Sequence, residues 1–274
     1  MKKLIISLLF LTAITGQVRA QSADDSNTGM FNHLSMGLSV GTDGLGIGVA
    51  APIGYHFAVR AEYNFLPFTL KYKSDVKLGS DPAYLEDVDR VDIEGKLKMN
   101  SFALLFDYYP FKKSSFRITA GAYIATKNII EIRNKSAFLD PAYYGTAGLQ
   151  LGNAASVSDI YTVVSDNEGN IKADVKVNAF RPYIGIGFGR SVPRKRIGVQ
   201  FDLGVQFWGN PELMTNLMYF DGDKGDFVQT YEAVNKERIT REDGDYKDIR
   251  DAIKTAHKIR VYPVISVRLN GRIF

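Results

Sequence analysis

The sequence predicts an all-β chain: an eight-stranded antiparallel up-and-down transmembrane β-barrel with long outer loops, one of them holding a helix. Three observations carry this. Apolar residues alternate with small or polar ones at a period of two over eight segments. After the first, the connections between those segments alternate between short and long, the layout of a barrel with tight turns at one end and extended loops at the other. The non-apolar face is mostly Gly, Ser and Ala, which suits the narrow interior of an eight-stranded barrel.

Residues 1–20 stand outside the pattern and read as a signal peptide. Lys2 and Lys3 form a basic start, Leu4 to Ile14 an apolar stretch too short to span a bilayer, and Gly16 to Ala20 a cleavage region with Val18 and Ala20 at its two small-residue positions. Cleavage is expected after Ala20. Gln21 follows, not the Cys of a lipoprotein. Residues 21–274 are then one domain of 254 residues without cysteine, so no disulfide braces it. Losing Lys2, Lys3 and Arg19 leaves 31 basic against 30 acidic residues, so no basic excess points to nucleic acid. No internal apolar run is long enough for a membrane-spanning helix, which leaves a soluble exported protein or a barrel.

The strands follow in order. Leu34, Met36, Leu38 and Val40 oppose Ser35, Gly37, Ser39 and Gly41. After Thr42-Asp43, Leu45, Ile47, Val49 and Ile53 oppose Gly44, Gly46, Gly48 and Ala50. After Gly54-Tyr55-His56, Phe57, Val59, Ala61, Tyr63 and Phe65 oppose Ala58, Arg60, Glu62 and Asn64. Phe102, Leu104, Phe106 and Tyr108 oppose Ser101, Ala103 and Asp107. Phe116, Ile118, Ala120, Ala122 and Ile124 oppose Arg117, Thr119, Gly121 and Tyr123. Phe180, Ile184, Ile186 and Phe188 oppose Arg181, Tyr183, Gly185, Gly187 and Gly189. Ile197, Val199, Phe201, Leu203, Val205 and Phe207 oppose Gly198, Gln200, Asp202, Gly204 and Gln206. From Ile259, Val261, Ile265, Val267 and Leu269 oppose Arg260, Tyr262, Ser266 and Arg268. Long connections run over 73–95, 128–178 and 209–257. Within them, 159–164 and 171–177 read as a hairpin about the turn residues Asp166 to Asn170. A helix is expected over 246–257 behind Asp245, and another within 227–241.

A soluble sandwich also alternates, and three features favour the membrane barrel. Lysines are missing from the strand middles, where the small-residue face is broken only by Arg60, Glu62, Asp107, Arg117, Arg181, Asp202, Arg260 and Arg268. Aromatic residues gather at both strand ends: Tyr55, Phe57, Tyr108, Tyr109, Phe111 and Phe116 at one, Phe65, Phe68, Phe180, Phe207 and Trp208 at the other, as in two interfacial girdles. The chain closes on a strand with terminal Phe274. Signal peptide, eight amphipathic strands and a C-terminal aromatic together resemble the small bacterial outer-membrane barrels, the OmpA-type transmembrane domain and its Bacteroidetes relatives. The resemblance is architectural and covers most of the mature chain. It implies a cell-envelope protein of a Gram-negative bacterium, set in outer-membrane lipid. It also makes Phe274 an assembly signal for the outer-membrane assembly machinery. Counting back by twos from Phe274 meets Arg272, Asn270 and Arg268, a departure from the apolar series of that signal. With Phe274 on this strand, the peptidoglycan-binding domain of full-length OmpA proteins is expected to be absent.

Site chemistry is sparse. Gly185, Gly187 and Gly189 have G-x-G-x-G spacing and lead to a proline turn and another strand, not to the helix a dinucleotide loop requires. No cofactor is expected. His33, His56 and His257 have neither cysteine nor an H-E-x-x-H pattern to make a metal site. Asp221, Asp223 and Asp226 lack the spacing of a calcium loop. His257 with Asp248 and Asp251 is the only candidate for rim catalysis, and helical spacing sets His257 and Asp251 apart. The charged face admits a plug of paired ions or a polar path, with five arginines against three acids. The expectation is a non-enzymatic barrel with a structural or surface-binding role, its long loops meeting an unknown extracellular ligand. The alternatives are a narrow porin-like channel for ions or small solutes through the charged lumen, and a loop-borne enzyme.

Overall fold

The computed structural model describes residues 31–66, 73–76, 91–134, 141–145, 148–153, 155–240, 251, 253, 255 and 258–273. Among the described residues, sixteen strands form two sheets. Eight close the barrel: β1 (Ser35–Gly41), β2 (Gly44–Pro52), β3 (Phe57–Phe65), β6 (Asn100–Tyr108), β7 (Phe116–Ala125), β12 (Phe180–Phe188), β13 (Ile197–Phe207) and β16 (Val261–Arg272). All pairs are antiparallel, and β1 meets β16 from Ser35↔Arg272 to Gly41↔Ser266, which closes the ring. Closure removes the unpaired edges that an open sheet would present.

The second sheet continues the barrel wall beyond the long-loop end. It comprises β4 (Lys73–Val76), β5 (Val91–Leu97), β8 (Asn128–Asn134), β9 (Gly148–Gln150), β10 (Tyr161–Val164), β11 (Lys172–Lys176), β14 (Glu212–Asp221) and β15 (Asp226–Ala233). β8 follows β7 almost directly, and β11 runs almost directly into β12, so the pairing of β7 with β12 carries on as β8 with β11. We call the end with the second sheet outer and the end with the short turns inner.

The period-two pattern has the expected sense. β6 and β12 alternate exposed and buried at every residue, large apolar side chains outward. The outward set includes Leu38, Ile47, Phe102, Phe106, Ile184, Phe201 and Leu269, all more than a third exposed. The small face lines the interior. Three glycines there leave room for larger neighbours: a Cβ on Gly185 would stand 2.5 Å from the Tyr183 hydroxyl, one on Gly187 would stand 2.9 Å from Arg117 Cζ, and one on Gly48 would stand 2.8 Å from Glu62 Cγ. Gly189 ends β12 at φ +95°, a left-handed conformation that glycine adopts without steric cost.

The loops depart from expectation in two places. Segments 159–164 and 171–177 do contain strands β10 and β11, but these are not a hairpin. β11 pairs β8 and β14, while β10 pairs β9 and β14, so the two lie end to end along β14. Asp166 still makes the turn, accepting from the amides of Glu168 (2.9 Å) and Asn170 (2.8 Å). Its apolar neighbours gain more by pairing with β14, whose Leu217 is fully buried against Tyr161 and Val163. The helix expected within 227–241 is instead β15, with a single 3₁₀ turn over Lys236–Arg238. Alternation there matches a strand register with β14 from Phe220↔Phe227 to Met214↔Ala233. Asp221, Asp223 and Asp226 make the connecting turn: Asp221 accepts from the Asp223 amide at 3.1 Å and pairs Lys224 at 3.4 Å. Of the helix expected over 246–257, Asp251, Ile253 and Thr255 are helical, with Ile253 buried in the outer core. Phe68, His257, Phe274 and the signal region lie outside the described residues.

Candidate functional site

The interior has two layers. The inner one is charged. Arg60 on β3 is its hub, with Nη1 3.0 Å from Glu62, Nε 2.8 Å from Asp107 and Nη2 3.2 Å from Asp202. Arg117 on β7 reaches the same two aspartates, at 2.6 Å to Asp202 and 3.3 Å to Asp107. Arg268 on β16 pairs Glu62 and donates to Asn270 at 2.7 Å. Asp107 also accepts from Thr119 (2.7 Å) and from Ser191. Three arginines thus meet three acids, each of them buried. A buried ion network is tolerable only when its charges are paired in this way.

Two of the eight expected charges fall elsewhere. Arg181 is buried and meets no carboxylate among the described residues: it donates to the carbonyls of Asn178 (2.9 Å) and Thr126 (2.7 Å) and lies 5.4 Å over the Trp208 ring. Arg260 is not in the interior. The β13–β16 ladder ends at Phe207↔Val261, so Arg260 precedes the strand and is exposed. Those two departures resolve the apparent excess of five arginines over three acids.

Sequence reasoning missed what closes the two ends. At the inner end the β12–β13 turn folds under the barrel. Ser191, fully buried, bonds Tyr109 and Asp107 from below and accepts from Ser35 at 2.6 Å through its carbonyl. The period-two pattern stops at a turn, so it offered no sign that this one points inward. At the outer half, Ala103, Leu105, Tyr123, Tyr183 and Val264 form an apolar layer. Above it Trp208 stacks on Tyr262 at 4.5 Å and 8°. Trp208 is therefore buried, not part of an outward girdle. Tyr262 donates to the Thr42 carbonyl at 2.7 Å, latching the β1–β2 turn over the lumen. Asp43 in that turn is buried, and burial pushes its carboxyl up to about 6. His56 meets the Tyr109 carbonyl at 2.7 Å at the inner end.

The outer sheet has its own core on one face, where Leu151, Tyr161, Val163, Leu217, Val234, Ile239 and Ile253 pack together. A second cluster of Met99, Ile129, Val177 and Trp208 joins the sheet to the barrel. The opposite face carries a mixed-charge ladder, Lys96, Lys98, Glu131, Arg133, Lys172, Asp174 and Lys176, ending at Tyr231 on β15. Lys98 pairs Glu131 at 2.8 Å, Arg133 pairs Asp174 at 3.4 Å, and Tyr231 donates to Asp174. Lys172 and Lys176 stand 5.7 and 5.2 Å over the Tyr231 ring. Burial, and then its bond to Asp174, hold the Tyr231 phenol above its ordinary range. Among the described residues no three His, Cys, Asp or Glu side chains converge as a metal site.

No protein-family model matches the chain, and no curated protein matches it. Among solved structures it is similar to CarO of Acinetobacter baumannii, at 17% identity and a TM-score of 0.46 over 86% of this chain and 96% of that one. It is similar to CarO2 of the same organism, at 16% identity and a TM-score of 0.47 over 89% and 99%. A major outer membrane protein from Thermus thermophilus matches at 14% identity and a TM-score of 0.37 over 88% and 98%.

Proposed function

We propose that this chain is an outer-membrane β-barrel of a Gram-negative bacterium whose filled barrel anchors the outer sheet as a non-enzymatic binding platform. The carrying observation is the barrel's exterior. Strands of 7 to 12 residues present large apolar side chains outward on every side, and tilted strands of about 9–11 residues span a hydrocarbon core. So much contiguous apolar surface is incompatible with a water-exposed monomer. Exposed rings mark both ends of the belt, with Tyr55, Phe57, Tyr108 and Phe111 at the inner end and Tyr63, Phe102, Phe180 and Phe207 at the outer, where amphipathic rings favour the interface.

The platform part of the reading rests on the ladder face. It is joined to the barrel through Trp208 and its neighbours, and it offers alternating charges beside a half-exposed tyrosine, a surface for a polar macromolecular ligand. The same filled interior disfavours a solute path. Assembly from the last strand by the outer-membrane machinery belongs to this reading. Fractionation of cells expressing the full chain tests it. The protein should require detergent for extraction and should partition with outer-membrane markers. Recovery from the soluble periplasm would overturn the proposal.

A further inference from the structure

Among the described residues, the turns at the inner rim carry charge of one sign. The β6–β7 turn contributes Lys112 and Lys113, and the β12–β13 turn contributes Arg190, Arg194, Lys195 and Arg196; neither turn contains Asp or Glu. Arg272 lies beside them, its amide bonded to the Arg196 carbonyl at 2.8 Å. The ladder face of the outer sheet, by contrast, interleaves its lysines with Glu131 and Asp174. Among the described residues of these two charged surfaces, the inner-rim turns bring cations together without an interleaved acid.

The two turns are fastened so that their charges converge. Arg190 and Arg194 both donate to the Lys112 carbonyl, at 2.9 and 3.0 Å, so the two guanidinium groups reach one oxygen from neighbouring positions. Burial and then the Arg194 charge hold Arg190 below its ordinary range. Two guanidinium groups on one carbonyl oxygen repel each other, and a phosphate between them would relieve that repulsion.

Apolar rings adjoin the cations. Arg190 lies 5.0 Å over Tyr109 and Lys112 lies 5.5 Å over Tyr55, while Phe57, Phe111 and Phe188 are at least half exposed just above them. A ligand bound here would meet a cationic shelf and an apolar wall in immediate succession, the order in which a phospholipid offers its phosphate and its acyl chains. A soluble acidic polymer would have no use for the wall. We infer that the inner rim binds the phosphates of anionic phospholipid in the leaflet that faces the short turns, fixing the depth of the barrel in that leaflet.

The inference rests on the membrane reading, and one experiment separates them. The full chain is reconstituted into vesicles of phosphatidylethanolamine with a minor share of phosphatidylglycerol, then extracted in mild detergent, and the retained lipid is measured by mass spectrometry. Phosphatidylglycerol should be retained several-fold above its share in the vesicle. The enrichment should vanish in a variant carrying Lys112→Gln, Lys113→Gln, Arg194→Gln and Lys195→Gln while the folded, heat-modifiable band persists. Were that variant unable to fold, Lys113→Gln with Lys195→Gln, both at exposed positions, should still lower the enrichment. No enrichment in the wild type, or one these variants leave unchanged, would overturn the inference. Enrichment that inorganic phosphate abolishes but chloride of equal ionic strength does not would assign the site to a soluble anion and overturn the lipid. Failure of the wild type to insert into any vesicle would overturn the membrane reading instead.

Discussion

Gly187 on β12 pairs with Arg117 on β7, and the arginine fills the volume that a side chain on the glycine would need. A Cβ there would stand 2.9 Å from Arg117 Cζ and 2.7 Å from the Phe201 carbonyl. Gly187→Val would therefore displace Arg117 from Asp202 or spread the β12–β13 pair. Overpacking of this kind costs about 1–3 kcal/mol. Urea unfolding in detergent micelles should show a lowered midpoint. Gly222→Ala, in an outer turn with nothing within 4 Å, should leave stability within about 0.5 kcal/mol of the wild type. Equal midpoints for Gly187→Val and wild type would contradict the packing.

Much of this was legible in the sequence, for a physical reason. A strand buried on one side writes its orientation into every second residue, so the phase of Arg60, Glu62, Asp107, Arg117, Asp202 and Arg268 could be read directly. Pairing partners were not legible to the same degree. Asp107 and Asp202 lie 95 positions apart in sequence yet share Arg60 and Arg117, and only barrel closure brings them together. Arg260 illustrates the limit of phase: the sequence alternation continues past the last ladder pair, Phe207↔Val261, but the side chain there is exposed. β15 illustrates a second limit: Phe227, Val228, Thr230 and Tyr231 favour a strand, but its partner β14 is fixed only by the fold.

Asp202 bonds both Arg60 and Arg117. Asp202→Ala would leave three buried arginines against two acids. Breaking a buried ionic network from one side costs about 3–5 kcal/mol. The variant should unfold at markedly lower urea or lose the folded band altogether. Arg260→Ala, exposed and outside the network, should unfold like the wild type. Similar midpoints for the two variants would show that the lumen network does not hold the barrel.

Trp208 joins barrel and outer sheet by stacking on Tyr262 and lying under Arg181. Trp208→Ala removes that contact without touching the inner charged layer. The barrel should remain folded and heat-modifiable, while limited proteolysis should cut faster within the outer sheet, since local opening exposes backbone before global unfolding does. An unchanged digestion pattern would show that the sheet is held by other contacts. Loss of the folded barrel would show that the two parts unfold as one.

Asp43 gives the protein a pH dependence of definite sign. Burial in the β1–β2 turn raises its carboxyl from 3.8 to about 6, while backbone bonding and Arg60 oppose the rise. The folded chain therefore binds this proton more tightly than the unfolded chain does. Its contribution to stability is complete below the unfolded value and is lost as pH rises through the folded one. Each tenfold difference in proton affinity corresponds to about 1.4 kcal/mol, so the change across that window is about 3 kcal/mol. Asp43→Asn carries no proton to lose and keeps a neutral side chain in the same turn. Urea midpoints of wild type and variant, compared at acid and neutral pH, should differ by more at neutral pH, with the variant the more stable there. A constant difference across the window would mean that the Asp43 carboxyl titrates as an ordinary surface group and that the turn does not close over the lumen as described.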